Sequence, residues 1–458
     1  MEKTKNFTEG PILAPLIKFA LPVLLALFLQ TMYGAVDMLV VGQFAGAAEV
    51  SAVSTGSWIM HLITSFVVGI AMGTTVLLGR KIGEGRAKEA GTIVGSSIGL
   101  FLILAVILTL IMEVCAVPIA RIMQTPPEAF RDTVLYIRIC SAGTIFIIAY
   151  NVLGSVFRGL GDSKMPLITV AIACVCNILG DLVLIGVFDL KTAGAAIATV
   201  LAQAFSVVLS FFIIRKKQLP FEFHRKNINF NRKQMGAVFK LGFPIAFQDV
   251  LVGISFLAIT AIVNSLGVVT SAGVGVAEKL CGFIMLVPSA FNQSMAAFVS
   301  QNMGAGKPKR ADKALACGIA TSFLAGICMF YLAFFHGDIL AGIFAKEKEV
   351  ILVAADYLKA YAIDCMLVSV LFCMIGYFNG CGETLFVMLQ GITGAFGVRI
   401  PVSFFMSKQI PVSVFKVGLA TPCSTIVQIC LCIGYFILRK LRLQKKEQKL
   451  RENKRMEY

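Results

Sequence analysis

Charge is what this chain has least of. Only 14% of its 458 residues are Asp, Glu, Lys or Arg, where a soluble domain carries about a quarter. Histidine (three) and tryptophan (one) are nearly absent. The thirteen cysteines contain no Cys-x-x-Cys pair. They sit in apolar stretches, as at Cys174, Cys281, Cys373 and Cys432, where cysteine is a small apolar filler. So little charge excludes a disordered chain and a water-soluble enzyme of ordinary domains. The scattered cysteines exclude a disulfide scaffold, and with no His-Glu metal motif in the apolar runs neither an enzyme nor a cofactor is expected. Residues 1–10 are polar and lack the short apolar core of a signal peptide, so the first apolar run is expected to be a retained span.

What the chain has instead is hydrophobicity: 58% of its residues are apolar, and at about 20 residues per crossing helix that is material for roughly a dozen membrane spans. Breaks in the apolar runs place them at 12–42, 50–79, 92–112, 131–157, 165–187 and 192–214, then at 236–266, 271–303, 312–336, 351–379, 384–406 and 413–438. Thirty of the 41 Lys and Arg residues fall in alternate segments (both ends and every second loop), and seven in the other loops. Basic loops stay in the cytoplasm. Both termini are therefore expected inside, in the plasma membrane, and the net charge of +16 is read as orientation, not nucleic-acid affinity. The basic tail 439–458 is expected to meet anionic lipid.

The sequence repeats itself. Lys18-Phe-Ala-Leu-Pro22 returns as Lys240-Leu-Gly-Phe-Pro244, 222 residues on. Gly83-Glu-Gly85 returns as Gly304-Ala-Gly306, and Phe157-Arg-Gly-Leu-Gly-Asp162 as Phe378-Asn-Gly-Cys-Gly-Glu383, both 221 residues on. The expected fold class is thus an all-α polytopic membrane protein of twelve transmembrane helices in two pseudo-symmetric six-helix lobes. The first covers 1–214 and the second 236–438, joined by a basic cytoplasmic connector at 215–235. Parallel repeats of this kind are a transporter architecture with substrate handled near mid-membrane. Gly83-Glu-Gly85 reads as a tight turn; no strand precedes it and no Gly-Lys-Ser/Thr follows, as a phosphate cradle requires.

Acidic residues inside apolar spans are costly and by default functional. Asp37 lies near the outer end of the first span and Asp181 near that of the fifth. Asn177 shares a helical face with Asp181 four residues on, and Thr199 lies on the sixth span. At 1.5 Å per residue all four sit about 7–12 Å below the outer surface. Two carboxylates, an amide carbonyl and a hydroxyl form an oxygen set suited to Na⁺ or to a shared proton. Pro22, on the Asp37 span, is where that helix is expected to bend. Asp249, Glu278, Lys279, Asp364 and Arg399 also lie within spans and are candidate substrate or auxiliary contacts. Among them Glu278 and Lys279 are expected to pair with Arg399 and brace the second half.

Asp37, Asn177-x-x-x-Asp181 and Thr199 resemble the cation site of multidrug and toxic compound extrusion (MATE) transporters. Lys18…Pro22, Gly83-Glu-Gly85, Phe157–Asp162 and Gly194-Ala-Ala-Ile-Ala-Thr199 extend the resemblance along nearly the whole chain, most closely to the DinF-like prokaryotic branch. The resemblance implies export of drug-like, often cationic, small organic compounds in exchange for H⁺ or Na⁺, by a single membrane-embedded chain whose partners are substrate and lipid. The other prokaryotic branch carries acids in its seventh and tenth spans, where this chain has residues such as Val252 and Val368, so ion coupling is expected in the first half alone. The alternative is a flippase or exporter of a lipid-linked or other endogenous metabolite on the same fold. Such a cavity needs many cations, and the spans hold few: Arg138, Lys279, Lys359 and Arg399. In a cysteine-free background, a single cysteine at Lys226 or Lys446 is expected to resist a membrane-impermeant thiol reagent added outside intact cells; external labelling at either would invert the orientation.

Overall fold

The computed structural model describes residues 7–216, 221, 228 and 230–456. Residues 1–6, most of the 215–235 connector and the last two residues of the tail lie outside the described residues. The described chain is helical throughout, with no strand. Its first half holds α1 (Leu13–Phe44), α2 (Ala47–Gly83), α3 (Ala87–Ile122), α4 (Pro127–Ala142), α5 (Thr144–Gly159), α6 (Lys164–Asp181) and α7 (Lys191–Lys216). Its second holds α8 (Arg232–Asn264), α9 (Val268–Ile284), α10 (Leu286–Gly304), α11 (Pro308–Phe335), α12 (Gly337–Gly342) and α13 (Lys348–Cys381). There follow α14 (Thr384–Ile392), α15 (Ile400–Ser407), α16 (Val414–Gly418) and α17 (Ala420–Met456).

Among the described residues eleven helical stretches are long and apolar enough to cross a bilayer, and the pair α4 and α5, bent by 56°, makes the twelfth. The fourth expected span is therefore not one straight rod. Its bend falls at Gly143, where a side chain would collide with Val200. The outward faces fit lipid: α3 exposes Leu102, Val106, Leu110 and Val114, four residues apart and so in one stripe. In water such a stripe would be an aggregation surface.

The repeat is visible in the backbone. After Phe157 the helix ends with Asp162 N–H donating to Phe157 O (2.9 Å) and Gly161 N–H to Arg158 O (3.0 Å). After Phe378 the same two bonds run from Glu383 to Phe378 (2.9 Å) and from Gly382 to Asn379 (2.9 Å). These are Schellman caps, which need a left-handed residue at the penultimate position. Gly161 (φ +82°) and Gly382 (φ +79°) supply it, as do Gly85 (φ +72°) and Gly306 (φ +67°) at the other repeated turn. Gly83-Glu-Gly85 is thus a helix terminus, closed by Arg86 N–H to Lys81 O (3.0 Å).

The chain forms two compact units that cut across its sequence halves. One comprises 1–253, 286–318 and 376–387; the other 254–285, 319–375 and 388–458. The first is held by α2, whose glycines let neighbouring backbones approach. Side chains at Gly69 and Gly73 would strike Ala246 and the Val238 carbonyl of α8, and one at Gly83 the Gln301 carbonyl of α10. Gly69-x-x-x-Gly73 and Gly79-x-x-x-Gly83 are small-residue stripes, which in a membrane replace the absent hydrophobic drive by close packing. Polar ties gather at one end of this unit. Gln301 Nε2 donates to Gly159 O (3.0 Å), Arg80 Nη2 to Cys381 O, and Asn302 Nδ2 to Phe7 O (3.3 Å). The core of the second unit centres on Tyr357, Leu358 and Ile259. Gly83→Ala is expected to lower stability by about 1–3 kcal/mol, because backbone must move to admit the methyl. Gly434→Ala, with nothing within 4 Å of the new methyl, is expected to be neutral or stabilising by up to about 1 kcal/mol. Thermal unfolding in detergent checks both.

Candidate cation site

Asp37, Asn177 and Asp181 are all buried, at 5%, 1% and 0% exposure. The folding reason is local. α6 packs against both α1 and α7, and the four-residue spacing of Asn177 and Asp181 turns both toward α1. The carboxyl of Asp37 interacts there with Asp181, Asn177 and Thr199. Yet none of these contacts has the geometry of a hydrogen bond. Asp37 Oδ1, both carboxyl oxygens of Asp181, Asn177 Oδ1 and Thr199 Oγ1 are buried without a hydrogen-bond partner. A buried carboxylate oxygen left so is expensive. Asn177 Nδ2 is likewise without a partner, so three helices bring the four residues together as a cluster of buried polar groups with unmet hydrogen-bonding capacity.

The surroundings are mostly neutral. Tyr33, one turn before Asp37, interacts with Asp37 and with Gln203, and Tyr136 and Cys140 interact electrostatically with Asp37. Tyr136 Oη is fixed by Ser57 Oγ at 3.0 Å. Directly after Asp181 the helix widens into a π turn, Leu182–Val187. Such turns mark functional sites disproportionately, since they re-aim a side chain at the cost of regular bonding. The sequence carries no signal for it. Among the described residues no three of His, Cys, Asp and Glu converge as for a transition metal. The oxygen set suits a proton or a hard monovalent cation, not zinc. α1 runs through Pro22 as one helix.

The auxiliary candidates divide. Asp249, on α8 in the first unit, is exposed. Asp364 and Arg399 come together in the second unit. Both are buried and interact electrostatically, Arg399 Nη1 donates to Ser255 Oγ (3.1 Å), and its guanidinium lies 4.4 Å from the Phe256 ring centroid. Arg399 ends a second π turn, Thr393–Arg399. The expected pairing of Arg399 with Glu278 and Lys279 is not made: Glu278 accepts from Thr260 Oγ1 (3.4 Å) and Lys279 is exposed. Arg399 interacts instead with Asp364, which is buried as it is, whereas Glu278 is only half-buried. Residues 222 positions after Asp37, Asn177, Asp181 and Thr199 are Ile259, Arg399, Ser403 and Thr421. The second half thus carries no carboxylate at these positions and one fixed cation.

Comparison with known proteins follows the same pattern. The MatE family profile matches twice, over residues 22–183 and 244–405, starting at Pro22 and Pro244. The "Probable multidrug resistance protein YoeA" of Bacillus subtilis is 25% identical over 425 residues, covering 91% of this chain and 92% of the relative. "Probable multidrug resistance protein YpnP" of the same organism is 26% identical over 435 residues, 95% and 97% of the two chains. Multidrug export protein MepA of Staphylococcus haemolyticus is 22% identical over 445 residues, 96% of each. A solved outward-facing multidrug resistance MATE transporter of the MOP superfamily superposes with a TM-score of 0.91 at 17% identity, over 97% of this chain and 99% of that one. A MATE solved in complex with MaL6 gives 0.89 at 17% identity over 98% and 100%. At such identity the structures establish the fold; the family match, spanning both halves, establishes membership. The chain belongs to the MatE family, the multi-pass multidrug and toxic compound extrusion transporters.

Proposed function

We propose that this protein is a secondary active antiporter of the plasma membrane, exporting cationic or otherwise drug-like organic compounds against inward movement of H⁺ or Na⁺ bound at Asp37, Asn177, Asp181 and Thr199. The observation that carries this is the group of buried oxygens around Asp37 that lack hydrogen-bond partners. Two adjacent carboxylates in a low-dielectric site need a proton between them or a cation beside them. An exchangeable ion meets that need and makes it a source of work. The protein is taken to act as a monomer, with its termini in the cytoplasm and six-helix lobes at 1–214 and 236–438 that alternate in access.

If one compound is exchanged for the ion, each must weaken the other's binding, and by linkage equally. The Asp37 helix is the suggested carrier of that coupling. Filling the site neutralises Asp37, and Pro22, fifteen residues earlier on α1, lacks the N–H that would resist bending. The matching position in the second half is Ala258 or Ile259, at an offset of 221 or 222, so the same switch has no counterpart there. A flippase of lipid-linked anions is the weaker alternative, since the cations it would need inside the spans are few.

Efflux of a fluorescent cation from reconstituted vesicles, with the pH gradient and the Na⁺ gradient imposed separately, tests the proposal. One of the two gradients, imposed alone, is expected to drive transport; failure of both would reject antiport. Asp37→Asn and Asp181→Asn are each expected to abolish gradient-driven efflux with near-normal expression. Asn177→Ala and Thr199→Ala remove one neutral ligand apiece and should weaken ion affinity by roughly five- to tenfold, read as ion-dependent thermal stabilisation. Asp249→Asn should keep ion-dependent efflux. Wild-type efflux in both aspartate variants would move the site elsewhere.

A further inference from the structure

A groove of about 610 Å³ opens beside the starts of α1 and α11, lined among others by Ile12, Leu13, Lys309, Arg310, Lys313 and Cys317. Three of its lining residues are cations and none is acidic. The acid within this turn, Asp312, is withdrawn from it: its carboxyl accepts from Tyr377 Oη at 2.6 Å. Lys309 and Lys313, one turn apart on α11, are exposed. Neither is in a salt bridge among the described residues.

The wall opposite the lysines is built to stay in place. Arg310 Nε donates to Phe7 O (3.0 Å), Nη1 to Gly10 O (2.7 Å), and Nη2 to Glu9 O (2.9 Å) and Pro11 O (3.3 Å). Lys307 Nζ adds a bond to Thr8 O (3.1 Å). Phe7 anchors the segment from within, stacked on Phe298 at 4.9 Å and edge-on to Phe19 at 5.3 Å. One guanidinium thus pins segment 7–11 against α11, leaving the two lysine ammoniums as the free charge of the groove.

Below the groove the surface turns apolar. Leu13, Ile17, Leu21 and Leu25 are exposed in a row on α1. At 1.5 Å per residue that row is about 18 Å long, close to the half-thickness of the hydrocarbon core, about 15 Å. A cationic cradle at the membrane surface above an apolar track one leaflet deep has the chemistry of a phospholipid with an anionic headgroup. We infer that this groove, walled by the Arg310-pinned segment, binds the phosphate headgroup of an anionic phospholipid through Lys309 and Lys313, with an acyl chain along the Leu13–Leu25 face. Basic pockets beside spanning helices recognise headgroups in this way. The lipid lies against a segment already tied to α10 and α11. The site is independent of the ion pocket and of the transport assignment.

Native mass spectrometry of the purified full chain tests it, with phosphatidylglycerol and phosphatidylcholine of identical acyl chains. Wild type is expected to retain phosphatidylglycerol roughly tenfold or more in preference, and Lys309→Gln/Lys313→Gln to bring that preference to near unity. Lys309→Arg/Lys313→Arg should keep it, as should Lys346→Gln/Lys348→Gln before and at the start of α13. Inorganic phosphate and glycerol phosphate, added as competitors, should not displace the lipid at equal concentration. Equal retention of the two lipids, an undiminished preference in the glutamine pair, or displacement by inorganic phosphate would each overturn the proposal.

Discussion

Two carboxylates held side by side inside a membrane protein repel each other and have lost the water that would solvate them. Either one alone is costly at that depth; together, with an amide and a hydroxyl offering further oxygens, they define a place that a positive charge must fill. In this protein the pair is Asp37 and Asp181, and much of the first unit serves to keep them together. α6 is fixed between α1 and α7, and the π turn after Asp181 breaks the regular ladder where the carboxylate is presented. α2, drawn tight against α8 and α10 by its glycines, leaves the unit little freedom to relieve the repulsion by spreading.

The duplicated chain has not kept two such places. Repeat-related Schellman caps at Gly161 and Gly382, and at Gly85 and Gly306, record a common ancestor unit down to single backbone torsions. The polar positions have diverged instead. Where the first half has Asn177 and Asp181 the second has Arg399 and Ser403, with Asp364 facing the guanidinium. In the second half a guanidinium tied to Ser255 interacts electrostatically with Asp364, whereas no cation is paired with Asp37 or Asp181 among the described residues. Fold is thus kept between the halves while charge is not.

Much of this was legible in the sequence, for physical reasons that differ by feature. Spans are legible because the bilayer demands a long apolar run each time, and all twelve appear, the fourth bent at Gly143. The repeat is legible because left-handed caps accept little but glycine. Asp37, Asn177, Asp181 and Thr199 could be grouped because charge in an apolar run is conspicuous and four-residue spacing sets a shared face. The π turns, the glycine stripes of α2 and the seat of Phe7 were not anticipated: each depends on what lies opposite in space. The same holds for Arg399, whose partner is Asp364 and not the Glu278 that sequence spacing suggested.

The exchange of ion for substrate is tested most directly by counting ions. The purified protein, equilibrated with H⁺ or Na⁺ at saturating level, is mixed with a cationic dye while dye binding and released ion are measured together. The expected result is release of about one ion for each dye bound in wild type, and dye binding without release in Asp37→Asn. Binding of dye with no ion set free in wild type, or equal release from the Asp37 variant, would contradict an exchange centred on Asp37.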